Sequence, residues 1–257
     1  MIKYSISGNL KGDAIVFING AGVGPWMWND QINYFTNNKC ITFDLPGHGI
    51  NSDMDFTTIK NCANIIRKLI INESNTQKAV IIGHSIGAQI LMFLLEFYEE
   101  VVERAVIISG LNQPMPMINF MIKPMINCLM PVVKWRGFAK MQSKQLAIPD
   151  NMFENYYRDS IDMSKETLKN ILYENSNYNF QNSSNTLVKA LILVGENEKN
   201  IMKQSAFKNR KLIQNSNAYI IKNAAHGIPY EQGDLLNYII ENFINDNDIY
   251  DSSIIEL

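Results

Sequence analysis

Ala79-Val80-Ile81-Ile82-Gly83-His84-Ser85-Ile86-Gly87 is the stretch on which the reading of this chain turns. A short apolar run ends in a glycine, a serine follows two residues later, and a second glycine opens an apolar segment of helical pattern, Ile86–Tyr98. The spacing G-x-S-x-G suits a sharp strand-to-helix turn, whose central residue takes strained backbone angles and therefore needs small flanks. Such a turn presents the Ser85 hydroxyl at a helix N-terminus. Unbonded N–H groups and the positive dipole end there favour a developing anion.

The same punctuation recurs on both sides of the elbow. Apolar runs at Ala14–Ile18, Cys40–Phe43, Ala105–Ile108, Leu191–Val194 and Ala218–Ile221 each stop at Gly, Asn, Asp, Ser or Lys. Helical patterns cover Thr57–Ile71, Gln204–Gln214 and Tyr230–Ile244. Alternating helices and strands apolar on both faces predict an α/β fold, with a doubly wound, mostly parallel sheet covered by helices on both sides. From Leu111 to Thr186 no strand run appears. Six of the 13 methionines lie in the first half of this stretch, and Pro114, Pro116, Pro124, Pro131 and Pro149 are expected to cut it into short helices. Its second half predicts helices near Phe153–Ile161 and Lys165–Glu174. The expected organisation is a core in two parts, 1–110 and 187–257, with a helical cap, 111–186, inserted between two strands.

Composition excludes several classes. Of 257 residues, 46% are hydrophobic and 19% charged, enough for a large core and too apolar for a disordered chain. A net charge of −2 argues against a nucleic-acid partner. Cys40, Cys62 and Cys128 are scattered, with no Cys/His cluster, so neither a metal nor a disulfide framework is expected. The N-terminal residues lack the apolar core of a signal peptide, and Met115–Val133 is interrupted by Asn119, Lys123, Pro124, Asn127 and Pro131. No transmembrane segment is therefore expected, and the expected compartment is the cytoplasm. Asp246-Asn247-Asp248 lacks the glycine and final Glu of a calcium loop and is expected as a solvated tail.

Four segments together resemble the α/β-hydrolase superfamily over about 1–112 and 186–245. They are the elbow, Phe17-Ile18-Asn19-Gly20-Ala21-Gly22 as the oxyanion-hole loop, Asp44-Leu45-Pro46-Gly47-His48-Gly49 as the D-x-P-G-x-G turn, and Asn223-Ala224-Ala225-His226 as the catalytic-histidine loop. The resemblance implies Ser85 as nucleophile and His226 as its base, with the Ala21 and Ile86 N–H groups as the oxyanion hole. His48 is expected to stabilise its turn, and His84 to point away from the base's position. The resemblance puts the triad acid after the strand that follows the cap. There Gly195-Glu196-Asn197-Glu198 offers Glu198 at the matching position, with Glu196 as rival. Two departures stand out: Glu where Asp is more usual, and Asn19 where the family often has His. Ser109-Gly110-Leu111-Asn112, the family's other place for an acid, holds no carboxylate.

The implied activity is cofactor-free hydrolysis of a carboxylic ester through an acyl-enzyme. The alternatives are a C–C bond hydrolase or lyase acting on a ketonic metabolite with the same triad, and a receptor-like ligand-binding protein with slow turnover. The expected partner is a small molecule with an apolar acyl or aromatic part. Residues 111–149 carry Lys123, Lys134, Arg136, Lys140 and Lys144 and no acid. That excess reads either as the basic rim of a Met-rich acyl or aromatic pocket with Phe120, Trp135 and Phe138, suited to an anionic ester or a lipid-like substrate, or as an ordinary cap core with solvated lysines.

Overall fold

The computed structural model describes residues 2–181 and 185–257. Strands β1 (Ser5–Gly8), β2 (Ala14–Ile18), β3 (Lys39–Thr42), β4 (Ala79–His84), β5 (Val102–Ile108), β6 (Lys189–Gly195), β7 (Ser216–Ile221) and β8 (Ile254–Glu256) form one sheet in the order β1-β3-β2-β4-β5-β6-β7-β8. β2 to β7 pair in parallel, while β1 and β8 close the two edges antiparallel. The helices are α1 (Asn29–Tyr34), α2 (Ile59–Glu73), α3 (Ile86–Phe97), α4 (Asn119–Val133), α5 (Arg136–Gln145), α6 (Phe153–Asp162), α7 (Lys165–Asn177), α8 (Asn200–Leu212), α9 (Ile228–Glu231) and α10 (Gly233–Ile244).

The apolar runs are continuous because both faces of the sheet are covered. Val16, Ile18 and Ile81 point into one core, shared with Ile59 and Ile66 of α2, Ile90 of α3 and Ala206 of α8. Ile15, Phe17, Val80 and Ile82 point into the other, against Leu236, Ile239 and Phe243 of α10. Each fully buried side chain of this size contributes roughly 1.5–3 kcal/mol. The chain passes from β2 outward to β3 and then returns to β4 on the other side of β2, so the strand order reverses between β2 and β4. In open α/β sheets a crevice forms beyond the carboxyl ends of strands at such a reversal. Register places Ile18, the last residue of β2, beside Gly83. The loops carrying Gly20 and Ser85 therefore leave the sheet side by side.

The structure departs from the sequence reading at the edges and in the insertion. β1 and β8 are short and partly exposed, so neither carries an apolar run. Asp246, Asn247 and Asp248 are exposed, as expected of a solvated stretch, but the chain is anchored there. Asp246 pairs with Arg104 at 2.7 Å and Lys189 at 2.5 Å, and the chain returns as β8 along β7. Nor do the prolines cut 111–149 as expected, because α4 runs fifteen residues through Pro124 and Pro131. Each proline deprives a carbonyl four residues back of its donor, at Phe120 and Asn127. Both residues are exposed, so water can serve those carbonyls, while Ile122 and Ile126 stay buried. Hydrogen bonds tie the insertion to the core. The Thr167 hydroxyl donates to Asp55 at 3.0 Å, and Glu174 accepts from the Ile59 N–H at 2.7 Å.

Candidate active site

Ser85 links β4 directly to α3 with φ 57° and ψ −117°, a left-handed conformation that L-residues rarely adopt. A Cβ on Gly83 would strike the backbone of Gly87, and one on Gly87 would overlap the Ile18 carbonyl. The two glycines are thus required by the contact of the elbow with itself and with β2. Ser85 is half-buried. Ile86 opens α3, so its N–H belongs to the first turn, where no intrahelical acceptor exists.

The other loops converge on this turn. The place a Gly20 Cβ would occupy is 3.4 Å from Ser85 Cβ. Asn19 is buried, and its amide donates to the Val23 carbonyl at 2.5 Å, tying the loop across its own base. His48 holds the same loop from below. Its Nε2 accepts from the Gly22 N–H at 3.0 Å, so its Nδ1 carries the proton and donates to the Pro46 carbonyl at 3.0 Å. Burial pushes this imidazole down to about 4, keeping it neutral and able to accept. The turn-stabilising role expected of His48 thus extends to the neighbouring loop.

Glu198 and His226 meet. The buried Glu198 carboxylate takes His226 Nδ1 at 2.8 Å on Oε2, while Oε1 accepts from the Ser109 hydroxyl at 2.6 Å and the Gly195 N–H at 3.0 Å. Burial pushes this carboxyl up, but the bonds from His226, Ser109 and Gly195 outweigh it, and it lies below the usual range. An ionised carboxylate only accepts, so the His226 proton sits on Nδ1 and Nε2 keeps its lone pair. Glu196 is elsewhere, accepting from the Asn223 N–H at 3.0 Å.

Three side chains that the sequence did not single out for this purpose support the pair. Ser109, at the end of β5, occupies the place where no carboxylate was found and supplies a hydroxyl to the acid instead. Glu231 accepts from the N–H groups of Ala225 at 2.9 Å and Gly227 at 3.0 Å, on both sides of His226. His84 does not point away from the base, contrary to expectation: its ring turns toward His226, and its Nε2 donates to the His226 carbonyl at 2.7 Å. The two imidazole rings lie 4.7 Å apart, which places His226 beside the elbow. Burial, then the neighbouring His226, pushes His84 down to about 3. A family spacing of Ser after β5, or an acid five residues past the histidine, would have been the only signals for Ser109 and Glu231.

The sequence pattern of the alpha/beta hydrolase family matches residues 15–235, which spans the elbow, Glu198 and His226. The chain belongs to the alpha/beta hydrolase family. Among solved structures, MenH from S. aureus superposes with a TM-score of 0.78 at 21% identity, covering 96% of this chain and 99% of its own. A thermophilic esterase from Thermogutta terrifontis gives 0.78 at 16% identity, covering 95% and 93%. Likeness at these identities extends to the fold. Protein ABHD8 of Mus musculus is 28% identical over 155 residues, 54% of this chain and 35% of that protein. The chain thus matches about a third of that relative's length.

The helical insertion of this alpha/beta hydrolase differs in charge from the sequence expectation. Arg136 pairs with Glu154, and Lys140 with Asp150 at 2.5 Å, so acids from 150 onward neutralise part of the basic stretch. Phe120 and Trp135 are exposed rather than gathered in an interior pocket. From α6, Asp159 accepts from the indole N–H of Trp26 at 2.6 Å, joining the insertion to the Gly20–Gly24 loop. Among the described residues, no helix is long and apolar enough to cross a membrane.

Proposed function

We propose that this chain is a serine hydrolase that cleaves a carboxylic ester through an acyl-enzyme. The observation that carries the reading is the buried Glu198 carboxylate on His226 Nδ1 at 2.8 Å, beside a serine held at φ 57° on a strand-to-helix turn. A serine hydroxyl is a weak nucleophile and needs a base. In this reading His226 Nε2 takes the Ser85 proton as Oγ attacks the ester carbonyl. Glu198 holds the imidazole in the useful tautomer and offsets the charge it gains. The Ala21 and Ile86 N–H groups stabilise the oxyanion. His226 then returns the proton to the leaving alkoxide, and water repeats the sequence on the acyl-enzyme. The chain's own residues supply every proton transfer in this scheme.

The substrate we assign is a small ester with an apolar acyl or aromatic part. Arg136 and Lys140 already have carboxylate partners, which favours a neutral ester over an anionic one. The helices of 111–186 would act as the cap, joined to the oxyanion loop through Trp26 and Asp159. Turnover of p-nitrophenyl esters from acetate to decanoate tests the reading, together with labelling by a fluorophosphonate. Ser85→Ala is expected to remove both. Labelling that survives in the variant would remove Ser85 from the mechanism. Ligand-induced stabilisation with negligible turnover of every ester would favour a binding protein instead.

A further inference from the structure

Helix α4 is apolar around most of its circumference, yet it is not enclosed. Its inward face buries Ile122 and Ile126. Its outward face carries Phe120, Met121, Pro124, Cys128 and Pro131, all of them exposed. At about 100° per residue these five fall within an arc of roughly 100° on one side of the helix. Phe120 is 88% exposed and Met121 66%. The strip continues beyond both ends of the helix in Met117, 84% exposed, and Trp135, 68% exposed. Single exposed apolar residues are ordinary, but a continuous strip of Phe, Met and Trp marks a surface that meets an apolar partner.

Charge identifies the partner. Lys123 lies on α4 at the margin of the strip, Lys134 at its C-terminal end, and Lys144 in the last turn of α5. None of the three has an ion pair among the described residues, and no acid occurs from 111 to 149. We infer that the outward face of α4, with Trp135 and these lysines, docks on an anionic lipid surface. An interfacial helix sinks an apolar face to the boundary between headgroups and acyl chains, with Trp and Phe at that depth and lysines at the phosphates. A convex single-helix face rimmed by unpaired lysines fits a protein partner poorly, because lysine is depleted from protein interfaces. The helix lies on the surface and does not cross it. Its fifteen residues span about 22 Å, short of a bilayer core of about 30 Å.

The inference is independent of the ester reading, and its test does not use turnover. The full chain is mixed with phosphatidylcholine vesicles, with and without phosphatidylglycerol, and floated on a density gradient. It is expected to float with the phosphatidylglycerol vesicles at low salt. Release is expected as salt rises and the Debye length falls from roughly 30 to 8 Å. Phe120→Ser with Trp135→Ser should weaken partitioning at least about tenfold, since two large apolar side chains lose their burial. Lys123→Glu with Lys134→Glu should abolish the preference for phosphatidylglycerol. Both double variants should keep the wild-type melting curve, because the altered side chains are exposed. Failure of the wild type to float with phosphatidylglycerol vesicles would overturn the inference, as would flotation unchanged in both variants. A dimer in sedimentation equilibrium that Phe120→Ser dissociates would assign the strip to a second copy of the chain and overturn it equally.

Discussion

The Ser109 hydroxyl donates to Glu198 Oε1 at 2.6 Å, while Oε2 of the same carboxylate faces His226. Ser109 stands at the end of β5 and Glu198 in the loop after β6, so adjacent parallel strands fix this contact. Ser109 is itself left-handed, at φ 52°, which shows how tightly its position is set. The acid therefore has no freedom to rotate away from the imidazole.

Ser109→Ala removes one of the bonds that hold the Glu198 carboxyl below its usual range. The carboxylate becomes more basic, so the Glu198 carboxyl should hold a proton to higher pH. The acid limb of kcat/KM is expected to move upward, with kcat falling by about tenfold or somewhat more, since one hydrogen bond to a charged group is worth about 1.5–3 kcal/mol. An unmoved acid limb would show that Ser109 does not tune the pair.

Glu198 and Glu196 separate by contact: one meets His226, the other the Asn223 N–H. Glu198→Gln is expected to cost at least about 10² in kcat, a lower bound set by the loss of about 10⁴ when a triad acid is neutralised. Glu196→Gln should cost less than about tenfold. Steady-state kinetics with one p-nitrophenyl ester ranks them, and the reverse ranking would give the role to Glu196.

In the proposed mechanism His48 would act on the reaction through Gly22. His48→Phe leaves the Gly22 N–H without its acceptor and frees the loop bearing the Ala21 N–H. The expected result is a fall in kcat of about ten- to hundredfold with little change in KM, because in the proposed mechanism the loop serves the oxyanion more than the ground state. His48→Gln, which keeps an acceptor, should recover part of the loss. A rise in KM alone would assign His48 to substrate binding.

Stability should fall as the solution is acidified from pH 6.5. His48 and His84 are pushed down from 6.5 to about 4 and about 3. Above pH 6.5 both rings are neutral in the folded and unfolded chain alike. Between 6.5 and about 3 the unfolded chain takes up protons that the native rings refuse. Each ring then removes roughly 1.4 kcal/mol per pH unit until its folded pKa is passed. Asp44 and Asp159 act in the opposite sense, since burial raises both carboxyls and the native state keeps their protons longer. Their window lies at the acid end, so the histidines set the slope just below pH 6.5. Denaturant unfolding at several pH values should show that slope, and His48→Gln should remove about half of it.

Much of the architecture was legible because it depends on neighbours in sequence. Runs such as Ala14–Ile18 announce strands buried on both faces, and the elbow's glycines announce a turn whose sterics involve residues two apart. The order of strands and helices, the elbow and the helical insertion followed from that local chemistry. Tertiary structure decided whatever depends on which groups meet across the sheet. Glu198 reaches His226 and Glu196 does not, because a loop breaks the alternation that would have put both on one face. Ser109 meets Glu198 across 89 residues of chain, and His48 meets Gly22 across 26. The edge strands, the passage of α4 through two prolines, and the pairing of Arg136 with Glu154 belong to the same class. A hydrogen bond or ion pair leaves no periodic mark in the sequence. It is set by the distance between two atoms, which only the packed sheet and its helices fix.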